Sequence, residues 1–221
     1  MTTYEKTYTY PKGRIEIRLE YDTSADSPDE MGDCEPEFFL ARNGVELERK
    51  LNAEFETPRK AVRMLTSGKV FEDPEGNWYY GFSEYRHGQS AFAFCGSARA
   101  RNWPDHLWDV IPFVGWVKIS KKLREDWGIG DEKDKALSNA EGTLREWEAY
   151  LNGEVYGYIV EVFDENDKPL DEESCWGYYG DEDAISDAQA TARYLAGKFW
   201  QKLGLPKVQV YEVPCDGIQQ Q

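Results

Sequence analysis

The chain has 221 residues, 40% of them hydrophobic and 14% aromatic, with eight tryptophans; that is enough for a packed core and excludes a disordered polymer. Forty-two acids against 26 bases leave a net charge of −16, a field that repels nucleic acid and anionic membranes and attracts basic partners, so no direct nucleic-acid binding is expected. No apolar run approaches the ~20 residues of a membrane-spanning helix, MTTYEKTYTYPKGR lacks the apolar core of a signal peptide, and the four scattered cysteines (Cys34, Cys95, Cys175, Cys215), none in a CxxC, read as reduced thiols of a cytosolic protein.

TYEKTYTY and RIEIRLEY alternate polar and apolar residues around Pro11-Lys12-Gly13, which predicts a hairpin. An acidic loop, residues 22–36, follows. FFLARNGVELE reads as a second hairpin turning at Asn43-Gly44. Thr57-Pro58 opens a short helix, PRKAVRMLTS, that ends near Gly68. KVFEDPEGNWYYGF is a further hairpin about Asp73-Pro74-Glu75-Gly76. Residues 83–112 are less regular. VGWVKIS then reads as a strand, and Ser120 caps a helix that Gly128 ends.

Between 131 and 152, Leu137, Ala140, Leu144, Trp147 and Leu151 form one helix stripe. EVYGYIVEVF and SCWGYYG read as an antiparallel strand pair joined by a loop, FDENDKPLDEE. A helix over 183–203 aligns Ile185, Ala188, Ala192, Leu195, Phe199 and Leu203, and KVQVYEV closes as a strand. The expected fold is α+β, with mostly antiparallel sheet and helices packed on one face. It divides into a β-rich N-terminal part, 1–82, and an α+β part, 83–221.

The acids are unevenly spread. Residues 22–37 hold seven and no base; residues 161–187 hold eleven and one base, Lys168. The candidate binding residues come from these blocks: Asp29, Glu30 and Asp33 in the first; Asp164, Glu165, Asp167, Asp171, Glu172, Glu173, Asp181, Glu182, Asp183 and Asp187 in the second. Solubility alone is the plain alternative reading of such charge. Although Gly180 precedes a helix, Asp181, Glu182 and Asp183 already occupy the anion-binding end and would repel a phosphate.

No cofactor or metal is expected. Asp164 and Asn166 could open a calcium loop, but Lys168 and Pro169 stand where an oxygen ligand and a glycine are required. Two histidines without HExxH make a poor zinc site. Weak catalytic candidates are His87, Asp109 and Cys95, meeting near YRHG; Cys175 could substitute for Cys95 as the thiol. Cys95, in the apolar run AFAFCGS, reads more simply as a buried thiol. Trp116 and Trp176 should be buried in strands; Trp103, beside Arg99 and Arg101, and Trp108 are the better candidates for an exposed recognition surface, with burial under the loop the favoured alternative.

YRHG at 85–88 is followed by WDVIPFVGWVKISKKLREDWG from Trp108, LNGEVYGYIVEV at 151–162 and SCWGYYG at 174–180. This order resembles a family of uncharacterised tailed-phage proteins with a Tyr-x-His-Ser-Gly segment, a Trp-Asp…Val-Gly-Phe strand, Gly-Asp-Val-Tyr-Gly-Tyr and Ser-Cys-Trp-Gly-Phe-Tyr-Gly. The likeness covers about residues 83–203; His87-Gly88 replaces His-Ser-Gly, and an insert runs through 99–107. The resemblance implies a phage-encoded accessory protein in the host bacterial cytoplasm and brings no established reaction. With the charge, it implies an acidic protein that binds the basic surface of a host or phage nucleic-acid-handling protein, as a DNA mimic of anti-defence type. The alternatives are a small hydrolase-like enzyme using His87 and an acidic structural or virion-associated protein.

Overall fold

The computed structural model describes residues 2–30, 36–103 and 108–206. In chain order these form β1 (Thr2–Tyr10), β2 (Gly13–Tyr21), a 3-10 turn (Pro28–Glu30), β3 (Glu37–Leu40), α1 (Gly44–Glu54), α2 (Pro58–Thr66) and β4 (Phe71–Glu72). They continue as β5 (Trp78–Arg86), β6 (Ser90–Phe94), α3 (Ala98–Arg101), β7 (Val110–Ile119) and α4 (Lys121–Asp126). The remainder is α5 (Lys133–Leu151), β8 (Val155–Asp164), β9 (Pro169–Tyr179) and α6 (Asp181–Lys198). All strand pairs are antiparallel, so the fold is α+β.

The chain divides into two compact units, residues 1–26 with 153–221, and residues 27–152. This corrects the expected boundary after residue 82, which falls inside β5: Phe82 and Ser83 are consecutive partners of Phe94 and Ala93. The first unit is discontinuous in sequence because β2 takes β8, far along the chain, as its neighbour.

The discontinuous unit is a four-stranded sheet in the order β1-β2-β8-β9, with α6 on one face. Alternation in β2 buries Ile15, Ile17 and Leu19 and leaves Arg14, Glu16 and Arg18 on the opposite face. Val160 and Val162 of β8 continue the apolar face, and Ala184, Ala188, Ala192, Leu195 and Ala196 of α6 close over it. The small alanines let the helix approach the sheet closely. Leu203 belongs to this core as expected, while Ile185 and Phe199 lie at its margin. The expected strand KVQVYEV lies outside the described residues.

The second unit is a five-stranded sheet, β3-β7-β5-β4 with β6 also on β5. It carries helices on both faces, whereas the first sheet has its helix on one. Trp78, Tyr80 and Phe82 point toward α4 and α5, where Leu123, Ala136, Ala140 and Leu144 meet them. Tyr79 and Trp116 point the other way, toward Leu51 and Phe55 of α1 and its C-terminal cap and Ala61 and Leu65 of α2. Gly115 lies so close to β3 that a Cβ there would overlap the Phe39 carbonyl oxygen.

Several local expectations are corrected. Asn43-Gly44 does not turn a hairpin. The Asn43 side chain accepts the Glu46 N–H at 2.9 Å, and the Glu46 carboxylate accepts the Arg42 N–H at 2.8 Å, a reciprocal cap that starts α1. Residues 83–112 are largely ordered as β5, β6, α3 and the start of β7. The expected stripe of α5 packs inward at Leu137, Ala140, Leu144 and Trp147, joined by buried Ala136, Thr143 and Ala149, but Leu151 is exposed. The β8–β9 connection is short, and Asp171, Glu172 and Glu173 belong to β9 itself.

Candidate functional site

Of the eleven acids between 161 and 187, nine lie on β8, β9 or α6; only Glu165 and Asp167 are in the turn. On the sheet face away from α6, Glu16, Glu161 and Glu172 are direct cross-strand neighbours. Like charges placed so repel, and arginines offset two of them: Arg14 pairs with Glu16 and with Asp167, and Arg18 with Glu161 at 2.8 Å. Asp171 is held by Lys198 at 2.6 Å, which, with the Glu172 N–H, keeps its carboxyl below the usual range against a small opposing effect of burial. Asp164 is likewise lowered, by the backbone N–H groups of Asn166 and Lys168 and by the nearby lysines, with burial opposing weakly; it organises the turn. Asp187 accepts the Tyr178 hydroxyl at 2.9 Å.

Glu165, Glu172, Glu173, Asp181, Glu182 and Asp183 make no ion pair with a described residue. Three of them occupy the first turn of α6, where the helix dipole stabilises them. Gly180, not an acid, takes the cap position. β9 is an edge of its sheet, and acids on an edge strand also discourage edge-to-edge association.

The first acidic block is divided between the two units. Asp22 and Asp26 belong to the discontinuous unit, while Asp29 and Glu30 sit on the 3-10 turn of the other, bonded to Ser27. Asp33 lies outside the described residues, as do Cys34, His106 and Cys215.

The Trp176 ring lies on Gly157 of β8, where a Cβ would overlap it. The expected burial of Trp176 is therefore corrected. It faces away from α6 on an edge strand and is 43% exposed, while Trp116 is buried between the sheet and α1–α2.

His87 and Asp109 meet at the far end of the β5–β6 hairpin, with Nδ1 3.0 Å from Oδ2. The Tyr85 ring stacks on His87 at 6.1 Å and on Trp103 at 5.8 Å. Cys95 does not join them. Its N–H bonds Gly81 O, six residues back along β5 from His87, or about 20 Å at strand rise. Burial pushes the Cys95 thiol up to about 12, and Sγ donates to Pro112 O at 3.3 Å, the state of an inert structural thiol. Cys175 is exposed on β9 of the discontinuous unit. Trp103 is also corrected as a recognition residue: it is 8% exposed under Tyr85, and Trp108, at 88%, is the exposed one. Arg99 is paired with Glu148 at 2.8 Å and Arg101 with Gly96 O.

No family model, no curated protein and no solved structure matches this chain.

Cavities of about 600, 310 and 150 Å³ lie in the 27–152 unit, and neither His87 nor Asp109 lines these. The 600 Å³ cavity lies where the end of α1 meets β4, β5 and β7, and its wall includes Glu54, Glu56, Glu72, Asp73, Glu75 and Lys118. The Tyr79 hydroxyl lies 3.0 Å from Glu54 Oε1 and 3.1 Å from Asp73 Oδ2. Burial, Glu54 and Asp73 together drive the phenol far above its usual range. Burial would raise the Asp73 carboxyl, but bonds from Asn77, Tyr79 and the Glu75 N–H outweigh it and hold the group below the usual range. Sequence reading does not single out this wall. Asp73 is visible as a turn residue, but nothing local ties it to Glu54 or Lys118.

Proposed function

We propose that this chain is an acidic binding protein that occupies a basic surface of a nucleic-acid-handling protein, in keeping with an accessory protein of phage type in a bacterial host. The observation that carries the reading is the set of carboxylates without counter-ions on β9 and the first turn of α6. The backbone of a strand and a helix is already ordered, so presenting charge there costs a partner no backbone ordering on binding.

Magnitudes favour a general basic surface over close imitation of DNA. β9 is eleven residues long, about 35 Å, and duplex DNA of that length carries about 20 charges. The five unneutralised carboxylates on β9 and the first turn of α6 reproduce the sign of that field at a fraction of its density.

The test is quantitative binding to a purified partner first captured from bacterial extract. Glu172→Gln, Glu173→Gln and Glu182→Gln combined should weaken affinity at least about tenfold while leaving the melting curve unchanged, because all three side chains are exposed and unpaired. DNA should compete with the wild-type protein for the same partner. Unchanged affinity in the triple variant, or simultaneous binding of DNA, would overturn the reading.

The 3.0 Å His87–Asp109 contact favours a second reading, a hydrolase-like enzyme in which Asp109 orients the ring and Nε2 serves as base. Such a base needs a bound substrate to act on. A panel of simple esters and phosphodiesters should show turnover that His87→Ala abolishes if this reading holds, and none if the first does.

A further inference from the structure

We propose that the 600 Å³ cavity of the 27–152 unit is a binding site for a single organic cation, an alkylammonium or guanidinium group. The volume falls in the range of small-ligand sites, about 300–1,000 Å³. Its wall brings five carboxylates, Glu54, Glu56, Glu72, Asp73 and Glu75, against two ammonium groups, Lys60 and Lys118. Phe55, Phe71 and Tyr79, packed edge to face, line its apolar side. An aromatic wall beside carboxylates is the setting in which a cation on a hydrocarbon stem gains from both ends.

Lys118 shows the chemistry in miniature. Its ammonium lies 3.4 Å from Glu54 and 3.1 Å from Glu37, with the Tyr79 ring 5.9 Å away. It serves one side of the wall only. Glu56, Glu72 and Asp73 in the same wall have no basic partner among the described residues, and Lys60 makes no ion pair there. Tyr79 carries one hydroxyl proton between two carboxylate oxygens; Asp73 Oδ2 also accepts from Asn77 and Glu54 Oε1 also faces Lys118, and an entering N–H group would add a further, charged donor to either oxygen. The ligand is an organic cation and not a metal ion: among the described residues no group of three or more His, Cys, Asp or Glu is placed to hold one.

Two sources share this chemistry, a free small amine and a lysine or arginine side chain of another protein. The inference does not rest on the acidic strand, whose residues belong to the other unit.

The experiment is titration calorimetry on the full chain at constant salt. The probes are n-butylammonium, n-propylguanidinium and end-blocked tripeptides with one central lysine or arginine; n-pentanol and butyrate are controls. One-to-one saturable binding of the cations, and none of the controls, is expected. Glu54→Gln and Asp73→Asn should each weaken it at least about tenfold, the scale of one hydrogen bond to a charged group, while Glu172→Gln leaves it unchanged. Should either of the first two fail to fold, Glu72→Gln, an exposed position, should still weaken binding about threefold. Tighter binding of the tripeptides assigns the site to a partner's side chain, and equal or tighter binding of the free amines assigns it to a small molecule. Absence of saturable cation binding by the folded wild-type protein, or equal affinity in the folded variants, overturns the proposal. Loss of partner binding in the Glu172 variants with cation binding intact separates the two claims.

Discussion

The two sheets place charge differently. In the four-stranded sheet one face meets α6 and the other faces away from it, so β2 alternates buried and half-buried positions and β9, at the edge, carries three consecutive acids. In the five-stranded sheet helices cover both faces, and β5 is buried at seven consecutive positions. A strand buried twice accepts charge only where partners offset most of its cost. Glu84, 1% exposed, accepts from Ser90 and Arg86 at Oε1 while Oε2 is left without a partner among the described residues, and Arg124, 5% exposed, donates to the Gly76 and Gly130 carbonyls and stacks 3.7 Å over Trp78 while its Nε is left without one. The acidic excess therefore collects where packing makes no use of the side chain.

Deleting one large ring in each sheet should widen the contrast most. Trp116→Ala empties a site enclosed by Phe39, Phe55 and Leu65 and should cost about 3–5 kcal/mol in urea unfolding. Trp176→Ala, removing a ring already 43% exposed, should cost under about 2 kcal/mol. Equal losses would mean that the two faces are equally packed.

Adding a methyl group sharpens the same point with smaller effects. At Gly115 the new Cβ meets the Phe39 backbone, which cannot move without breaking the β3–β7 ladder, so Gly115→Ala should cost about 3 kcal/mol or more. At Gly157 it meets the Trp176 ring, which can swing toward solvent, so Gly157→Ala should cost about 1 kcal/mol. Thermal melts of the two variants measure the difference.

Acid tests the hydrogen-bonded carboxyl of the five-stranded unit. The native Asp73 carboxyl lies below its unfolded value, near 3.9. Its stabilisation is complete above about pH 4 and is lost as pH falls through the lower native value. The stability gap between wild type and Asp73→Asn should therefore be full at pH 7 and shrink below about pH 4, as paired urea titrations would show. The smallest effect is chemical. Cys175, exposed at the edge strand, should be alkylated in the folded protein at pH 8, while Cys95, with its thiol near 12, is labelled only in denaturant; peptide mapping distinguishes them.

Legibility in the sequence follows the same division. RIEIRLEY shows its strand because one face is apolar and the other is not, and Pro11-Lys12-Gly13 marks its turn. Ser120 announces α4 and does accept the Leu123 N–H at 3.0 Å. WYYGFSEYR gives no alternation, since both faces are buried, and its continuation into β6 is correspondingly hard to see. Asn43-Gly44 fits a hairpin turn and a helix cap equally, and Glu46, three residues after Asn43, was the deciding signal. Trp103 and Trp108 sit in similar local sequence, but Trp103 stacks on Tyr85, a partner 18 residues away. The acids were visible as a block, but their counter-ions Arg14, Arg18 and Lys198 come from elsewhere in the chain, so which carboxylates stay unneutralised is a property of the fold.

Binding through those carboxylates is tested most directly by the affinity of the chain for its purified partner between 0.05 and about 0.5 M salt, taken with the triple variant at Glu172, Glu173 and Glu182. Wild-type affinity should fall at least about tenfold across that range, with a shallower slope in the variant. An affinity independent of salt, with the same slope in both proteins, would contradict an electrostatic partner surface on β9 and α6.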